Sequence, residues 1–126
     1  MKTEEINGGQ LQHWTPQEVA EAQAAGAVTL IDVRTPQEYA LERIDGALLS
    51  PLQSFDPIDM PCQDSKPIVF HCASGGRSEK VARRCLDAGF SSVAHMAGGL
   101  GAWKEAGLAY TGTEKSTGAP RQERKA

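Results

Sequence analysis

The sequence predicts a single α/β domain in which helices flank a small, mostly parallel β-sheet. Short apolar runs with the character of buried strands, such as residues 28–33 and 68–71, alternate along the chain with segments that carry helix-start signals. The chain has 126 residues, of which 40% are hydrophobic, and this is enough for one buried core. The alternation therefore indicates the fold class, and the length indicates one domain.

Two capping boxes mark the beginnings of the first two helices. Thr15 and Glu18 are spaced to exchange hydrogen bonds across a first helical turn, which predicts a helix over residues 16–25. Thr35 and Glu38 repeat the pattern directly after a buried strand and predict a second, shorter helix. Both boxes have proline at the first helical position, where a helix needs no amide hydrogen.

Apolar runs and helical periodicity predict the remaining elements. These are strands at 28–33, 46–49, 68–71 and 91–96, and helices at 77–88 and 100–106. An irregular connection is expected up to residue 66, and residues 111–126 are predicted to form a disordered tail because they lack apolar periodicity.

Composition excludes several classes of partner. The formal net charge of -3 gives no electrostatic reason to expect nucleic acid or an anionic membrane surface. No apolar run approaches the roughly 20 residues that span a bilayer, and the first residues lack the layout of a secretion signal. The three cysteines form no CxxC pair and favour free thiols in a reducing compartment. We therefore predict a cytoplasmic protein with no nucleic-acid and no membrane partner.

The segment FHCASGGRS at residues 70–78 places Cys72 between a strand and a helix. Ligands of parallel sheets gather at the carboxyl ends of the strands, and the helix start adds unpaired N–H groups and a positive dipole end. Gly75 and Gly76 allow the backbone to curl its amides inward, and Arg77 adds a planar, permanent cation. Such surroundings can lower a thiol pKa from about 8.5 to between about 3.5 and 7.5.

A plainer interpretation of the same loop remains open at this point. Cys72 could be a small buried hydrophobe, with the glycines making a tight strand-to-helix turn. For Ser74 and Ser78, contact with the substrate or thiolate stands beside simple turn and helix-start chemistry.

Three motifs, in order, resemble the rhodanese-type sulfurtransferase family. Along the chain they are LIDVRTPQEYALERIDGA at residues 30–47, the Cys72 loop at residues 70–78 and GGLGAW at residues 98–103. The likeness covers residues 11–110, which form the predicted rhodanese-like domain. The resemblance implies the rhodanese fold with a five-stranded, mostly parallel sheet. It also implies that Cys72 takes a sulfane sulfur from thiosulfate or another persulfide donor and passes it to a thiol or cyanide acceptor.

The resemblance and the loop chemistry agree on the site residues. Cys72 is the predicted nucleophile, and Arg77 is expected to bind the small anionic sulfur donor. The other predicted substrate-binding residues are Ala73, Ser74, Gly75, Gly76 and Ser78. No cofactor is predicted, and the acceptor or donor can also be a protein.

Asp32, Arg34 and Glu38 also match the family's first motif. They could orient the loop or substrate, but a buried charge network joining the strand end to the next helix is the preferred interpretation. The sequence departs from the family where Arg43 and Asp45 replace a histidine and a proline, which leaves the detail of that turn open.

Two alternative functions stay open. Cysteine-dependent phosphatases and arsenate reductases also use a cysteine, a glycine-bearing loop and an arginine, but the phosphatase loop is one residue longer than the four residues between Cys72 and Arg77. Asp56 and Asp59 are candidates for the general acid that a phosphatase needs. A persulfide carrier that docks a protein partner and barely turns over free thiosulfate is the third hypothesis.

The remaining cysteines and histidines are predicted to have no catalytic role. Cys85 falls on the apolar face of a helix, and Cys62 is expected to be a surface thiol rather than a resolving cysteine. His13, His71 and His95 show no zinc-ligand spacing, so no metal site is predicted.

Overall fold

The computed structural model describes residues 1–114 and 116–123, which form two sheets and four α-helices. The strands are β1 (Lys2–Ile6), β2 (Gly9–Trp14), β3 (Thr29–Asp32), β4 (Leu48–Leu49), β5 (Ile68–His71), β6 (Ser92–Met96), β7 (Tyr110–Thr113) and β8 (Pro120–Glu123). The helices are α1 (Pro16–Ala24), α2 (Pro36–Leu41), α3 (Gly76–Asp87) and α4 (Gly99–Glu105). None of the helices in these ranges is long and apolar enough to cross a membrane.

The main sheet has six strands in the order β1-β2-β6-β5-β3-β4. The five strands from β2 to β4 in this order are parallel to their neighbours, as the family resemblance implies. β1 is an additional edge strand that runs antiparallel to β2. The predicted α/β class with a mostly parallel sheet is confirmed, whereas the predicted count of five strands is wrong by this one strand.

The N-terminal hairpin of β1 and β2 was not predicted. Its residues are largely polar, so apolar periodicity gives no signal there, and β1 is exposed along most of its length. The turn itself carries a signal: Asn7 and Gly8 have φ of 48° and 83°, the two successive left-handed residues of a type I′ turn. An Asn-Gly pair could therefore have identified this hairpin.

The predicted helix starts are confirmed. In the first capping box the Glu18 amide donates to the Thr15 hydroxyl (3.2 Å), and the Thr15 amide donates to the Glu18 carboxylate (2.9 Å). Thr35 and Glu38 form the same pair of bonds at 3.1 and 3.0 Å. Because both boxes are satisfied locally, their four-residue pattern was sufficient to place α1 and α2.

The sheet is buried on both faces, which explains the continuous apolar runs of its central strands. One face is covered by α3 and contains Leu11, Ile31, Val33, Phe55, Ile68, Phe70, Cys72, Val81, Ala82, Cys85 and Val93. The opposite cluster contains Val19, Val28, Leu30, Ile44, Ala47, Val69, Ala94, Met96, Leu100 and Trp103. Successive residues of β5 alternate between the two clusters, as the pleat of a strand requires.

The C-terminal segment contains a hairpin where a disordered tail was predicted over residues 111–126. β7 and β8 pair antiparallel, and Lys115 and residues 124–126 lie outside the described part of this prediction. Backbone bonds fix β7 to the domain, because Arg43 and Thr111 exchange two hydrogen bonds of 2.8 Å. The Thr111 hydroxyl also donates to Asp45. Polar contacts rather than apolar burial hold this segment, so hydrophobic patterning could not identify it.

Candidate active site

The loop after β5 lies at the carboxyl edge of the parallel sheet and leads directly into α3. Cys72 is the first residue after the strand, and Gly75 precedes the helix with φ of 107°. This left-handed conformation favours glycine, because a Cβ atom is strained there. It turns the chain so that the amides at the start of the helix approach the cysteine side chain.

Two backbone amides point at the Cys72 sulfur. The Gly75 N–H donates to Sγ at 3.0 Å, and the Ser78 N–H donates at 3.4 Å. The thiol also lies 3.7 Å from the Ser78 hydroxyl oxygen, to which it donates. The inward curl of amides that the glycine-bearing loop predicts is therefore present.

These contacts change the acidity of Cys72. Burial is the largest single influence on its pKa and opposes ionisation. The hydrogen bonds that the sulfur shares with the amide and hydroxyl of Ser78, and those from the amides of Gly75 and Ser74, together outweigh burial, so the pKa of the thiol lies below its ordinary value. The loop thus favours the thiolate, which is the nucleophilic form.

The Cys72 sulfur is less accessible than the sequence predicts for a nucleophile. Cys72 is only 1% exposed and belongs to the core cluster under α3. Its loop neighbours Ser74 and Gly76 are exposed, and Ala73 is half-buried. Direct access of a substrate to the sulfur is therefore restricted in this conformation.

The start of α4 holds the cysteine loop from the other side. The Leu100 amide donates to the Cys72 carbonyl at 2.8 Å, and the Gly101 amide donates to the Ala73 carbonyl at 3.0 Å. A Cβ atom on Gly99 would stand 2.4 Å from the Cys72 carbonyl oxygen and 2.6 Å from the Ala73 carbonyl carbon. The glycines of the GGLGAW motif therefore permit close backbone contact with the loop.

Arg77 forms an ion pair with Glu38. Its guanidinium donates to the two carboxylate oxygens at 2.7 and 2.9 Å, and both side chains are about one-third exposed. The hydrogen bonds from Arg77 are the main reason that the pKa of Glu38 falls to about 2. Glu38 therefore joins α2 to the beginning of α3, next to the cysteine loop, whereas the sequence predicted a place for it in a buried network with Asp32 and Arg34.

Asp32 and Arg34 do form a buried pair. The Arg34 Nε and Nη2 atoms donate to Asp32 at 2.8–3.1 Å, and Nη2 also donates to the Glu42 carbonyl at 2.6 Å. Asp32 is fully buried and Arg34 is 3% exposed. The pair joins the end of β3 to the end of α2, which matches the structural role that the sequence favoured.

His71 faces away from the sulfur, on the side of Asp32. Its Nε2 atom is 3.5 Å from the Asp32 carboxylate, and Nδ1 is 3.2 Å from the Cys72 carbonyl. Burial is the main cause that lowers the pKa of His71. The neutral ring therefore positions the loop backbone rather than the thiol.

A cleft of about 310 Å³ opens beside the loop. It is lined by Arg34, Glu38, Leu41, Glu42, Ala73, Leu100, Gly101 and Lys104. Ala73 and Glu38 connect this cleft to the cysteine loop. Lys104 contributes a second cation, which is paired with Glu42.

The other two cysteines are free and lie in different environments. Cys62 is exposed, and its neighbour Gln63 bonds the Ile68 amide (2.8 Å) and the Ser92 carbonyl (2.9 Å), at the amino ends of β5 and β6. Cys72 follows the carboxyl end of β5, whereas Cys62 lies near the amino ends of the strands. Cys62 therefore cannot act as a resolving cysteine without rearrangement.

Two polar contacts near the site were not predicted from the sequence. The Ser78 hydroxyl is 2.9 Å from His95 Nδ1, and His95 Nε2 is 2.8 Å from His13 Nδ1. His13 and His95 are cross-strand partners in the parallel register of β2 and β6. Since β2 was not predicted, no pattern in the sequence paired the two histidines.

Comparisons with known proteins agree with this architecture. Residues 15–106 match the family model for the rhodanese-like domain. A protein from Allochromatium vinosum named sulfurtransferase is 34% identical over 88 residues, which cover 69% of this chain and 81% of that protein. An uncharacterized protein of Synechocystis is 36% identical over 101 residues, which cover 80% of this chain but only 56% of the relative's length.

The solved structures agree as well. The solution structure of a rhodanese-like domain from Anabaena superposes with a TM-score of 0.70 and 25% sequence identity, covering 90% of this chain and 89% of that domain. The fold and the cysteine loop at the carboxyl edge of the sheet define the class of rhodanese-fold proteins. The chain belongs to the rhodanese-like domain family, and the fold that its three motifs predict is confirmed.

Proposed function

We propose that the protein is a sulfurtransferase that carries sulfane sulfur as a persulfide on Cys72. The observation that carries the proposal is the pair of backbone amides, from Gly75 and Ser78, directed at the Cys72 sulfur. Fixed dipoles of this kind stabilise negative charge on a thiolate and on a persulfide with no reorganisation during the reaction. The sulfurtransferase name of a relative supports the same class of reaction.

In the first half-reaction the Cys72 thiolate attacks the outer sulfur of an anionic donor such as thiosulfate. A sulfur–sulfur bond to Cys72 forms as the bond within the donor breaks, and sulfite leaves with the electron pair of the broken bond. The product is a Cys72 persulfide anion. No net oxidation occurs, and no cofactor is required.

In the second half-reaction a cyanide ion or a thiolate attacks the terminal sulfur of the persulfide. The new bond to the acceptor forms as the sulfur–sulfur bond to Cys72 breaks, and the Cys72 thiolate is regenerated with the electron pair. The acceptor leaves as thiocyanate or as a new persulfide. A protein thiol fits the same step as a small one.

Arg77 and the cleft beside the loop are the proposed site for the donor anion. The Arg77 fork suits two oxygens of a sulfonate, but Glu38 already occupies it. A donor therefore binds either by sharing the outer face of the guanidinium or by displacing Glu38. Because Cys72 is 1% exposed, small donors should react faster than bulky ones.

The placement of Asp56 argues against its use as the general acid of a phosphatase. Asp56 caps its own short turn by accepting from the Ile58 amide at 3.1 Å. It lines a cavity with Ala88 and Phe90, beyond the end of α3. Cys72 lies at the beginning of that helix, whose 12 residues span about 18 Å. A general acid at Asp56 is thus too far from the sulfur.

The deciding experiment is mass spectrometry of the full-length protein after incubation with thiosulfate. We expect the mass to rise by one sulfur atom on Cys72 and cyanide to remove that atom as thiocyanate. Cys72→Ala should not be labelled, whereas Cys62→Ala and Cys85→Ala should be. An unlabelled wild-type protein, or label that persists in Cys72→Ala, contradicts the mechanism.

Assays with two further substrates distinguish the sulfurtransferase from a phosphatase and from a persulfide carrier. Hydrolysis of an aryl phosphate that depends on Cys72 would favour a phosphatase. Label that appears from a persulfidated protein donor but not from free thiosulfate would identify a persulfide carrier.

A further inference from the structure

A second cluster of polar side chains lies beside the cysteine loop, on the sheet face under α3. His13 on β2 and His95 on β6 stand in register, with ring centroids 4.8 Å apart and ring planes at 74°. The Nδ1 atom of His13 and the Nε2 atom of His95 are 2.8 Å apart and share a hydrogen bond, which a metal ion bound between them would replace. Adjacent parallel strands hold the two rings in this relation.

Glu79 on α3 supplies a third group. Its Oε1 atom is 4.0 Å from His95 Nε2, and the ligand atoms of the three residues lie within 4.8 Å of one another. The other oxygen, Oε2, pairs with Arg83 at 3.0 Å. The Oε1 atom is therefore the one directed toward the histidines.

The far nitrogen of each histidine has its own oxygen partner. His13 Nε2 is 3.2 Å from the Glu4 carboxylate, and His95 Nδ1 is 2.9 Å from the Ser78 hydroxyl. Metal-bound histidines usually donate their second N–H to a carboxylate, carbonyl or similar oxygen, which orients the ring. These outer partners hold the near nitrogens of the two rings toward each other, beside the Glu79 carboxylate.

We propose that His13, His95 and Glu79 bind a divalent transition-metal ion such as Zn²⁺, with water as the fourth ligand. Tetrahedral zinc has bonds of about 2.0–2.1 Å to these ligand types, which separates ligand atoms by about 3.3 Å. The observed separations of 2.8 to 4.8 Å bracket this value. Two imidazoles and one carboxylate favour zinc, copper or nickel over magnesium or calcium.

The site is open enough to load and rearrange. The side chain of Glu79 is 39% exposed and that of His13 is 20% exposed, while His95 forms the buried base. A small inward movement of the Glu79 carboxylate closes the coordination shell. Arg83 contacts the outer oxygens of both Glu79 and Glu4, and its charge offsets part of theirs.

The proposal does not depend on the sulfur chemistry of Cys72, which is not a ligand here.

The test is titration of the metal-free, full-length protein with Co²⁺, followed by displacement with Zn²⁺. We expect one equivalent to bind with the visible bands of tetrahedral Co²⁺ and without the sulfur-to-cobalt charge-transfer band. Glu4→Gln removes only an outer partner and should weaken binding about 10–100-fold. His13→Gln and Glu79→Gln remove ligands and should weaken it by more.

Matched controls distinguish the site from adventitious binding. Glu5→Gln alters the neighbouring acid of the same strand, and Cys72→Ala removes the nearby thiol; neither should change the affinity. Zn²⁺ should raise the unfolding temperature of the wild type but not of His13→Gln, whose half-buried ring lies outside both core clusters. The proposal is overturned if wild type binds no Co²⁺, if His13→Gln binds as tightly, or if a charge-transfer band disappears with Cys72.

Discussion

Cys72 and Cys85 lie in the same core cluster and are equally inaccessible, at 1% and 0% exposure, yet their thiols are opposite in character. The pKa of Cys85 is raised to about 12, chiefly by burial, and the charge of Arg84 only partly opposes this. The pKa of Cys72 is lowered although burial is also its largest single influence.

The difference comes from the backbone around each sulfur. Cys85 lies within α3, where the amides are used in the helix itself, so its thiol is surrounded by apolar groups. Cys72 lies before the helix start, where the amides of Gly75 and Ser78 have no helical partner and donate to sulfur. Buried thiols therefore become acidic when spare backbone donors face them, and inert when none do.

The largest expected effect is the loss of activity on removal of the Cys72 sulfur, with removal of the Cys85 sulfur as the comparison. Cys72→Ala is expected to reduce sulfur transfer to background, because the nucleophile is lost. Cys85→Ala should retain most of the activity and lose about 1–2 kcal/mol of unfolding free energy through a small cavity. Sulfur-transfer rates with thiosulfate and cyanide measure the activity of both variants, and chemical denaturation measures their unfolding free energy. Comparable activity losses in the two variants would contradict the different roles of the two cysteines.

A second change tests the backbone clamp that only Cys72 has. Gly99→Ala places a Cβ atom 2.4 Å from the Cys72 carbonyl oxygen at φ of 59°, so the loop or α4 must move. We expect a loss of about 2–4 kcal/mol in unfolding free energy.

Gly107→Ala provides the matched control for that measurement. Its φ of 76° imposes similar backbone strain, but nothing lies within 4 Å of the added Cβ atom. A loss of about 1–2 kcal/mol is expected there. Equal losses in the two variants would show that the contact with the cysteine loop is unimportant.

A third change addresses the hydroxyl beside Cys72. Ser78→Ala removes the hydroxyl contact but keeps the amide, so the pKa of Cys72 should rise while that of Cys85 stays unchanged. Alkylation of Cys72 at neutral pH should slow about fivefold, the factor that corresponds to a hydrogen bond of about 1 kcal/mol. The pH dependence of alkylation, followed by peptide mass spectrometry, measures it; an unchanged profile would assign the acidity to the amides alone.

The smallest effect concerns the charge beside the loop. The folded pKa of Glu38, about 2, lies below its ordinary value of 4.5, so its ion pair with Arg77 stabilises the protein above pH 4.5. This stability is lost as the pH falls from 4.5 through 2. Because both side chains are one-third exposed, we expect about 1 kcal/mol.

Glu38→Gln should therefore flatten the acid limb of a plot of unfolding free energy against pH. Arg77→Gln should flatten it equally, and the double variant should add nothing further. Additive losses in the double variant would mean that the two residues stabilise the fold independently.

Local patterns explain which elements were predictable. The capping boxes of Thr15 and Thr35 are complete within four residues, and β5 is a continuous apolar run, so their positions follow from neighbouring residues alone. The N-terminal hairpin and β7 are held mainly by polar backbone pairing, which leaves little hydrophobic signal. Arg43 and Asp45, the residues that depart from the family pattern, both bond Thr111 of β7.

The candidate site divides in the same way. A cysteine after a strand, followed by glycines and a helix start, determines that amides meet the sulfur, because the parts are consecutive in the chain. The pairing of Arg77 with Glu38 joins residues 39 positions apart, and α2 and α3 had to be packed before it could be seen.

The sequence by itself determined the α/β class, the helix starts and the backbone N–H donors around Cys72 that lower its pKa, since each depends on interactions within a few residues. Only the tertiary structure decided how deeply the sulfur is buried, which carboxylate neutralises Arg77 and that His13 meets His95, 82 positions away. The physical reason is that contacts between distant residues depend on strand order and register, which no local pattern encodes.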